Sequence, residues 1–600
     1  MCRLAGIYSS TSVRLLEDVI IMRDSMHRGG PDDQGIYIDD KFPLALGHRR
    51  LSLIDLSSAG HQPMADNDNQ LQIIFNGEIY NFQEIRAGLQ SKGYHFKTKT
   101  DTEVILKAYI EYGKECFKLF NGMFAIALLD KNIGELLLIR DHAGIKPIYY
   151  YLSKDELIFA SEIRAFKAYR PDWPENPDWK MAFLTFGHLP EPITTLKGII
   201  PLKKGTVASI NLNTLQATFT KFNTFSFTNT ITDLPQAISL VRSKLEQAVA
   251  RHLISDAPIG VFLSGGIDSS LITLLAHRTI PDHLKTLSIV FEEQGFSEQP
   301  FQQMVVDKTG VDHHSFLVTK QQFGDSLPDI LEAMDQPSTD GINSYFICKY
   351  AKAYGLTAVL SGLGADELFG GYDSFNRSGI SDLLQKQSPF INKMASFLPG
   401  DKLKKVSFLQ RKDLIGQYLF NRGFFSFNQV TSMLNVTKND IEDMLATVTL
   451  EKLDPKTDGR DRVSWIESNL YMQNQLLKDT DYMSMWHSLE VRVPFLDKEL
   501  MQAVYSIDSS VKFDKNILKH LLIKAFEDIL PPAIYQRKKM GFTFPFQSWM
   551  QSVTTTSNSE MYNKVRKQFV NKKVNWSRYW ATLLSDPSAS ITYTSEASNY

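Results

Sequence analysis

The run Ile259-Gly-Val-Phe-Leu263 leads straight into Ser264-Gly-Gly-Ile-Asp-Ser-Ser270, and then into the apolar-periodic stretch 271–279. An apolar strand that turns through two glycines into a helix brings backbone amides and a helix N-terminus to one point. Those amides, helped by the helix dipole, attract phosphate. Ser264, Ser269 and Ser270 add hydroxyl donors. The Gly-Lys-Ser/Thr ending of a Walker loop is absent. Asp268 would repel a bare phosphate, and a nucleotide carrying Mg²⁺ removes that conflict. Taken alone, Ser-Gly-Gly fits a tight turn capped by an aspartate equally well.

The pattern around it repeats. "TLSIVF" and "LTAVLS" are apolar runs, each followed by helical sequence. Apolar strands alternating with helices imply a largely parallel α/β sheet. The run Leu360-Ser-Gly-Leu-Gly-Ala-Asp-Glu367 again ends a strand in glycines. It puts Asp366 and Glu367 at the C-terminal edge of the sheet, as a metal and substrate rim. Ahead of the sheet, Leu234, Ile238, Val241, Leu245 and Val249 mark one helix, with Asp233 as its cap and Pro235 in its first turn.

The first 205 residues read differently. "LQIIFNGEIYN", "FAIALLD", "ELLLIRD" and "ELIFASE" are short strands of packed antiparallel sheets, and "DTEVILKAYIEYG" is helical. Residues 206–232 are Thr/Asn-rich and read as a linker or domain edge. Beyond about 375 the chain is mostly helical, and 551–600 is polar and Ser/Thr-rich, expected to be poorly ordered. At 600 residues the chain exceeds one hydrophobic core, so two or more domains are expected.

Balanced charge, 65 basic against 67 acidic residues, argues against nucleic acid and anionic membrane as partners. No apolar run reaches bilayer length. Glu17, Asp18 and Arg23 interrupt the only candidate signal segment. Three cysteines make neither a disulfide framework nor a metal spacing. The expectation is a cytoplasmic, reduced protein.

Cys2 becomes the first residue once Met1 is removed. An α-amine titrates near ~7.7–8.0 and a thiol near ~8.5, so the amine can take the thiol proton. By itself such a cysteine is incidental. Its company is not: "MCRLAGI", "HRGGPDDQG", "HRRLSLIDL", "FNGEIYN", "TKTDTEVIL" and "RDHAGIKPIYY" follow in that order. Together they resemble the class II glutamine amidotransferase domain, an N-terminal-nucleophile hydrolase. The resemblance implies an αββα sandwich over 2–205 and attack by Cys2 on the glutamine side-chain amide. It implies an oxyanion hole from the Asn76 side chain and the Gly77 amide. Arg50 would hold the glutamine carboxylate and Glu78 and Asp101 its ammonium group, with Leu51 and Ile54 completing the pocket. His27-Arg-Gly-Gly-Pro31 carries one glycine more than the family's HRGPD.

"SGGIDSS" resembles the pyrophosphate loop of the ATP pyrophosphatases. A glutaminase followed by such a domain is the asparagine synthetase arrangement. The resemblance spans about 2–550, continuing in "LLKDTDYMSMWHSLEVRVPFLD", "ILKHLL" and "RKKMGFTFPFQSW". It implies a parallel-sheet ATP-pyrophosphatase domain with helical additions over 233–550. ATP would meet Leu263, Ser264, Gly265, Gly266, Asp268, Ser269, Ile289, Ser361 and Gly362, and Mg²⁺ would meet Asp268 and Asp366. Lys519 matches the family's active-site lysine. The implied chemistry is ammonia release from glutamine, acyl-AMP formation on a carboxylate, and amide formation. The partners are small molecules, and a homodimer stays open. Cys2 argues against the family's carbapenam- and β-lactam-forming members, which lack its function.

Leu363, on the acceptor rim with Asp366 and Glu367, stands where the family reads glutamate in SGEGADE or SGEGSDE. Either Asp335, Asp340, Asp366 or Glu367 compensates and aspartate is the acceptor, or the acceptor is another carboxylate. A sugar uronic acid and a peptide or metabolite acid are the alternatives.

Overall fold

"FAIALLD" is apolar at every position but the last, which a strand tolerates only when both its faces are covered. The computed structural model describes residues 2–293, 295–386, 405–541 and 544–593, and shows those two covers. Among the described residues, two antiparallel sheets of six strands each are stacked. One runs Ile200–Pro201, Tyr149–Leu152, Glu156–Ala160, Arg3–Ser9, Leu44–Arg50, Asp33–Ile38. The other runs Ala217–Lys221, Thr206–Asn211, Glu135–Arg140, Gly122–Asp130, Leu71–Ile79, Met64–Ala65.

Alternation along each strand sorts the side chains into layers. Leu4, Tyr8, Ile74, Ala125 and Ala127 pack between the sheets. Ala5 and Ile7 face the helices Leu15–Asp24 and Ile163–Tyr169. Ile73, Phe75, Phe124 and Ile126 face the helices Phe82–Ser91 and Asp101–Tyr112. The result is helix, sheet, sheet, helix.

The expected linker starts inside this sandwich. Thr206–Asn211 and Ala217–Lys221 pair with each other, and the former also pairs with Glu135–Arg140. Ala217–Lys221 is an edge strand with most residues exposed, which accounts for its linker-like composition. The crossing segment then docks on the second half, where Thr228 and Ile231 amides donate to the Tyr505 and Ser506 carbonyls at 3.0 Å each.

Asp233 caps the helix Leu234–His252, accepting from the Gln236 amide at 2.9 Å. The sheet beyond it is parallel, in the order Asp312–Leu317, Lys285–Val290, Ile259–Phe262, Ala358–Leu360, Glu490–Arg492. Chain order reverses direction at Ile259–Phe262, so the crevice between it and Ala358–Leu360 is the topological switch point.

The C-terminal stretch is not the unstructured end its composition predicts. Val553–Thr556 pairs with Ser590–Tyr593 across the helices Glu560–Val570 and Trp576–Ser585. Tyr562, Phe569, Tyr579, Trp580 and Leu583 are buried in the core that flanks the parallel sheet. Their spacings of three, four and seven put them on one helix face each, a pattern masked by the surrounding Ser, Lys and Asn. Residues 594–600 lie outside the described residues. Among the described residues no helix is long and apolar enough to cross a membrane.

Two candidate active sites joined through one strand

Cys2 is buried just before Arg3–Ser9. Its backbone nitrogen donates to Asn76 Oδ1 at 3.2 Å. That bond commits the Asn76 oxygen and leaves Nδ2 buried without a partner. An unpaired buried donor costs about 1–3 kcal/mol, so this one stands ready for an acceptor. Gly77 has φ +148°, and a Cβ there would lie 2.0 Å from the Met123 carbonyl oxygen. The Cys2 Sγ lies 4.0 Å from the Leu51 carbonyl oxygen. Burial pushes the thiol up, while the Leu51 backbone and Arg50 pull it down.

Arg50 ends its strand with the guanidinium held by the carbonyls of Asp55, Ser57 and Ile54, at 2.5, 2.8 and 3.4 Å. Burial raises the carboxyls of Glu78 and Asp101, the latter to about 6. Asp101 accepts from the Ile79 amide at 3.0 Å. The residues read from the sequence as a glutamine pocket are therefore gathered at one place, with Arg50 as a fixed cation and Glu78 and Asp101 as acids. In the two-glycine run, a Cβ on Gly30 would lie 2.4 Å from the backbone of Arg49.

The second site lies at the switch point. A Cβ on Gly362 would lie 2.7 Å from the Asp268 Cβ, so the two glycine loops touch. Lys519 Nζ reaches Asp268 and Asp366 at 2.5 Å each, and Lys539 Nζ reaches Asp366 at 2.8 Å. Burial works against the Asp366 carboxylate, but Lys519 and Lys539 hold it down at about 2. Burial pushes Asp268 up, against the pull of Lys519. Its Oδ1 is buried without a partner. Lys519 itself sits at φ +54°, a left-handed conformation that costs a side-chain-bearing residue roughly 1–3 kcal/mol.

The helix Ile267–Thr279 begins at Gly266 with no side-chain cap, leaving its first amides open. The Ser264 and Ser269 hydroxyls are 2.9 Å apart, and Arg537 donates to the Gly265 carbonyl at 3.0 Å. Leu263, Ile289, Ser361, Gly362, Asp366 and Lys519 line one cavity of about 1350 Å³. Among the described residues no three His, Cys, Asp or Glu side chains form a metal-ligand group.

The acceptor rim differs in part from expectation. Leu363 is half-buried against the core of this half, and its neighbour Glu367 accepts from the Tyr372 hydroxyl at 2.6 Å. Burial raises the Glu367 carboxyl to about 7. Asp340 lines the cavity. Asp335 does not compensate for Leu363: it accepts from the Ile163 and Arg164 amides at 2.7 and 2.8 Å, at the start of a helix in the other half. That aspartate is spent on orphan helix amides.

Glu490 and Arg492 had no role in the sequence reading. Arg492 bonds Glu490 at 2.5 Å and approaches the Glu78 carboxylate at 3.6 Å. Its carbonyl accepts from the Ser361 amide at 2.8 Å. The strand Glu490–Arg492 therefore touches both sites. The available signal was an acid and a base at alternate positions of an apolar strand, "LEVRVPF", where burial of unpaired charge is costly.

Family models match both halves, a glutamine amidotransferase domain over residues 1–223 and asparagine synthase over 240–578. An asparagine synthetase (glutamine-hydrolyzing) 1 of Bacillus subtilis is 33% identical over 92% of this chain and 88% of its own length. A putative asparagine synthetase (glutamine-hydrolyzing) of Mycobacterium bovis is 31% identical over 88% of this chain and 84% of its own. The amidase chry2 of Gibberella zeae is 25% identical over 93% of this chain and 89% of its own. A buried N-terminal cysteine and a glycine-loop cavity, joined through one strand and matched by these two models in tandem, place the chain in the asparagine synthase family.

Proposed function

We propose that the protein transfers ammonia from glutamine to a carboxylate, at the expense of ATP and through an acyl-AMP. The Cys2 amine takes the thiol proton and the thiolate attacks the glutamine amide carbon. Asn76 Nδ2 and the Gly77 amide receive the oxyanion, an interaction worth about 3–4 kcal/mol in comparable sites. Collapse of this intermediate releases ammonia and leaves a thioester, which water cleaves to glutamate. Arg50 holds the substrate carboxylate, and Glu78 with Asp101 holds its ammonium.

At the second site the acceptor carboxylate attacks the α-phosphorus of ATP and pyrophosphate leaves. The uncapped first amides of the helix Ile267–Thr279 and the Lys519 charge favour that leaving group. Asp268 and Asp366 fit Mg²⁺, because Asp268 Oδ1 is an open buried oxygen and ATP phosphates supply further ligands. Bound there, the ion would neutralise phosphate charge. Ammonia then attacks the acyl carbon and AMP leaves.

The observation that carries this reading is the strand Glu490–Arg492, 3.6 Å from Glu78 on one side and bonded to Ser361 on the other. Ammonia released into water would be protonated and lose its nucleophilicity, so contiguous sites serve the transfer. Supplied with glutamine, MgATP and its acceptor, the protein should form glutamate, AMP and pyrophosphate in equal amounts with the amide. Formation of ADP and phosphate instead would refute the acyl-AMP route.

The relatives named asparagine synthetase make aspartate the first acceptor to test. A different carboxylate is favoured by Leu363, which can neither accept a hydrogen bond nor pair with an ammonium group.

The glutamine half carries its own pH signature. Asp101, raised to about 6 by burial, is protonated below that pH and no longer attracts the substrate ammonium. The kcat/KM for glutamine should fall as pH drops through about 6, and Asp101→Asn should lower its plateau and flatten that arm. Glutamate release measured without ATP checks this. A wild-type profile flat down to about pH 5 would exclude a role for Asp101 ionisation.

A further inference from the structure

Pockets for one small ligand usually hold ~300–1,000 Å³. The cavity at the second site holds about 1350 Å³, room for a nucleotide and a second sizeable molecule together. Leu263, Ile289 and the glycine loop occupy one part of its lining. The lining also includes half-buried rings and planar polar groups.

Arg422 anchors that region. Its guanidinium lies 3.5 Å from the Tyr471 ring centroid and 4.4 Å from that of Tyr372. Glu467 holds its Nε at 2.5 Å, and 23% of its side chain stays open. Asn421 next to it donates to the Gln417 carbonyl at 3.1 Å, while its Oδ1 is buried with no partner. The C-terminal segment supplies another part of the wall: Asn575 and Trp576 line the same cavity, the indole braced on Phe546 at 4.6 Å between centroids.

Resting on the reaction proposed above, we infer that the acceptor is larger than aspartate: a hydroxylated ring carboxylate with the chemistry of a hexuronic acid. Trp576 offers a ring to the C–H surface of such a ligand, beside Tyr471, one face of which Arg422 covers. Arg422 donates to its oxygens and Asn421 Oδ1 accepts from a hydroxyl, as the inventories of those groups require. A purely apolar tail would dehydrate the open part of the Arg422 guanidinium and leave Asn421 Oδ1 unpaired. Aspartate carries neither a ring for Trp576 nor a hydroxyl for Asn421 Oδ1, and Leu363 offers its ammonium no partner.

The test is pyrophosphate release from MgATP with ammonium chloride as nitrogen donor. The probes are D-glucuronate and D-galacturonate, free and as methyl glycosides, set against aspartate and phenylacetate. A hexuronate should exceed aspartate in kcat/KM by at least about tenfold, the effect of one stacked ring or one good hydrogen bond. Trp576→Ala and Asn421→Ala should each raise the KM for that hexuronate about tenfold, with the KM for ATP and glutamine hydrolysis unchanged. The same preparation's glutaminase activity reports that each variant is folded. Release with aspartate but with no hexuronate overturns the inference and leaves the reaction standing. Variants that change the KM for ATP and acceptor alike assign this wall to the nucleotide and also overturn it. Release with no carboxylate, while glutamine is still hydrolysed, sinks the proposed reaction itself.

Discussion

Replacing Cys2 by alanine should abolish amide formation from glutamine and leave amide formation from ammonium salt at its original rate. In the proposed reaction the substitution removes the sulfur that forms the thioester and nothing else in the pocket. The bond to Asn76 comes from the backbone nitrogen of residue 2, so the oxyanion donors keep their geometry. Loss of a catalytic nucleophile costs on the order of 10³-fold or more, even where binding and the oxyanion hole survive. The second site lies across the strand Glu490–Arg492 and does not use the thiol. Glutamate release and ammonium-driven AMP formation, measured on one preparation, separate the two halves. Near-normal amide formation from glutamine in this variant would exclude the N-terminal nucleophile.

Asp268→Asn should produce the mirror image, with pyrophosphate release reduced about 10²- to 10³-fold and ATP-free glutamine hydrolysis persisting. The change keeps the shape and removes the charge. It leaves Lys519 facing Asp366 alone, and it withdraws the open carboxylate oxygen that suits a cation bridging the phosphates. A reduction of that size corresponds to about 3–4 kcal/mol of transition-state stabilisation, in the range of a lost electrostatic contact in a closed site. ATP turnover at the wild-type rate would remove Asp268 from the nucleotide site.

Features governed by local backbone rules were readable from the sequence alone. The turn of "SGGIDSS" into a helix, the Asp233 cap and the packed antiparallel strands of the N-terminal half follow from glycine, capping and short apolar runs, and the structure reproduces each. Cys2 and the motifs around it were legible because an N-terminal thiol and a zwitterion-binding set need particular residue types. What the sequence could not decide depends on contacts between residues hundreds of positions apart. Asp335 looked free to serve the acceptor until its carboxylate was seen capping the helix at Ile163. The strand at 217–221 read as linker because an exposed edge has linker composition. The C-terminal helices read as tail because their apolar stripes are thin among Ser, Lys and Asn. Glu490 and Arg492 gained meaning only when the fold set them beside Glu78 and Ser361. The wall formed by Asn421, Arg422 and Trp576 likewise exists only after packing. Charge pairing and cavity shape are set by which surfaces meet, and that is decided by the tertiary structure as a whole.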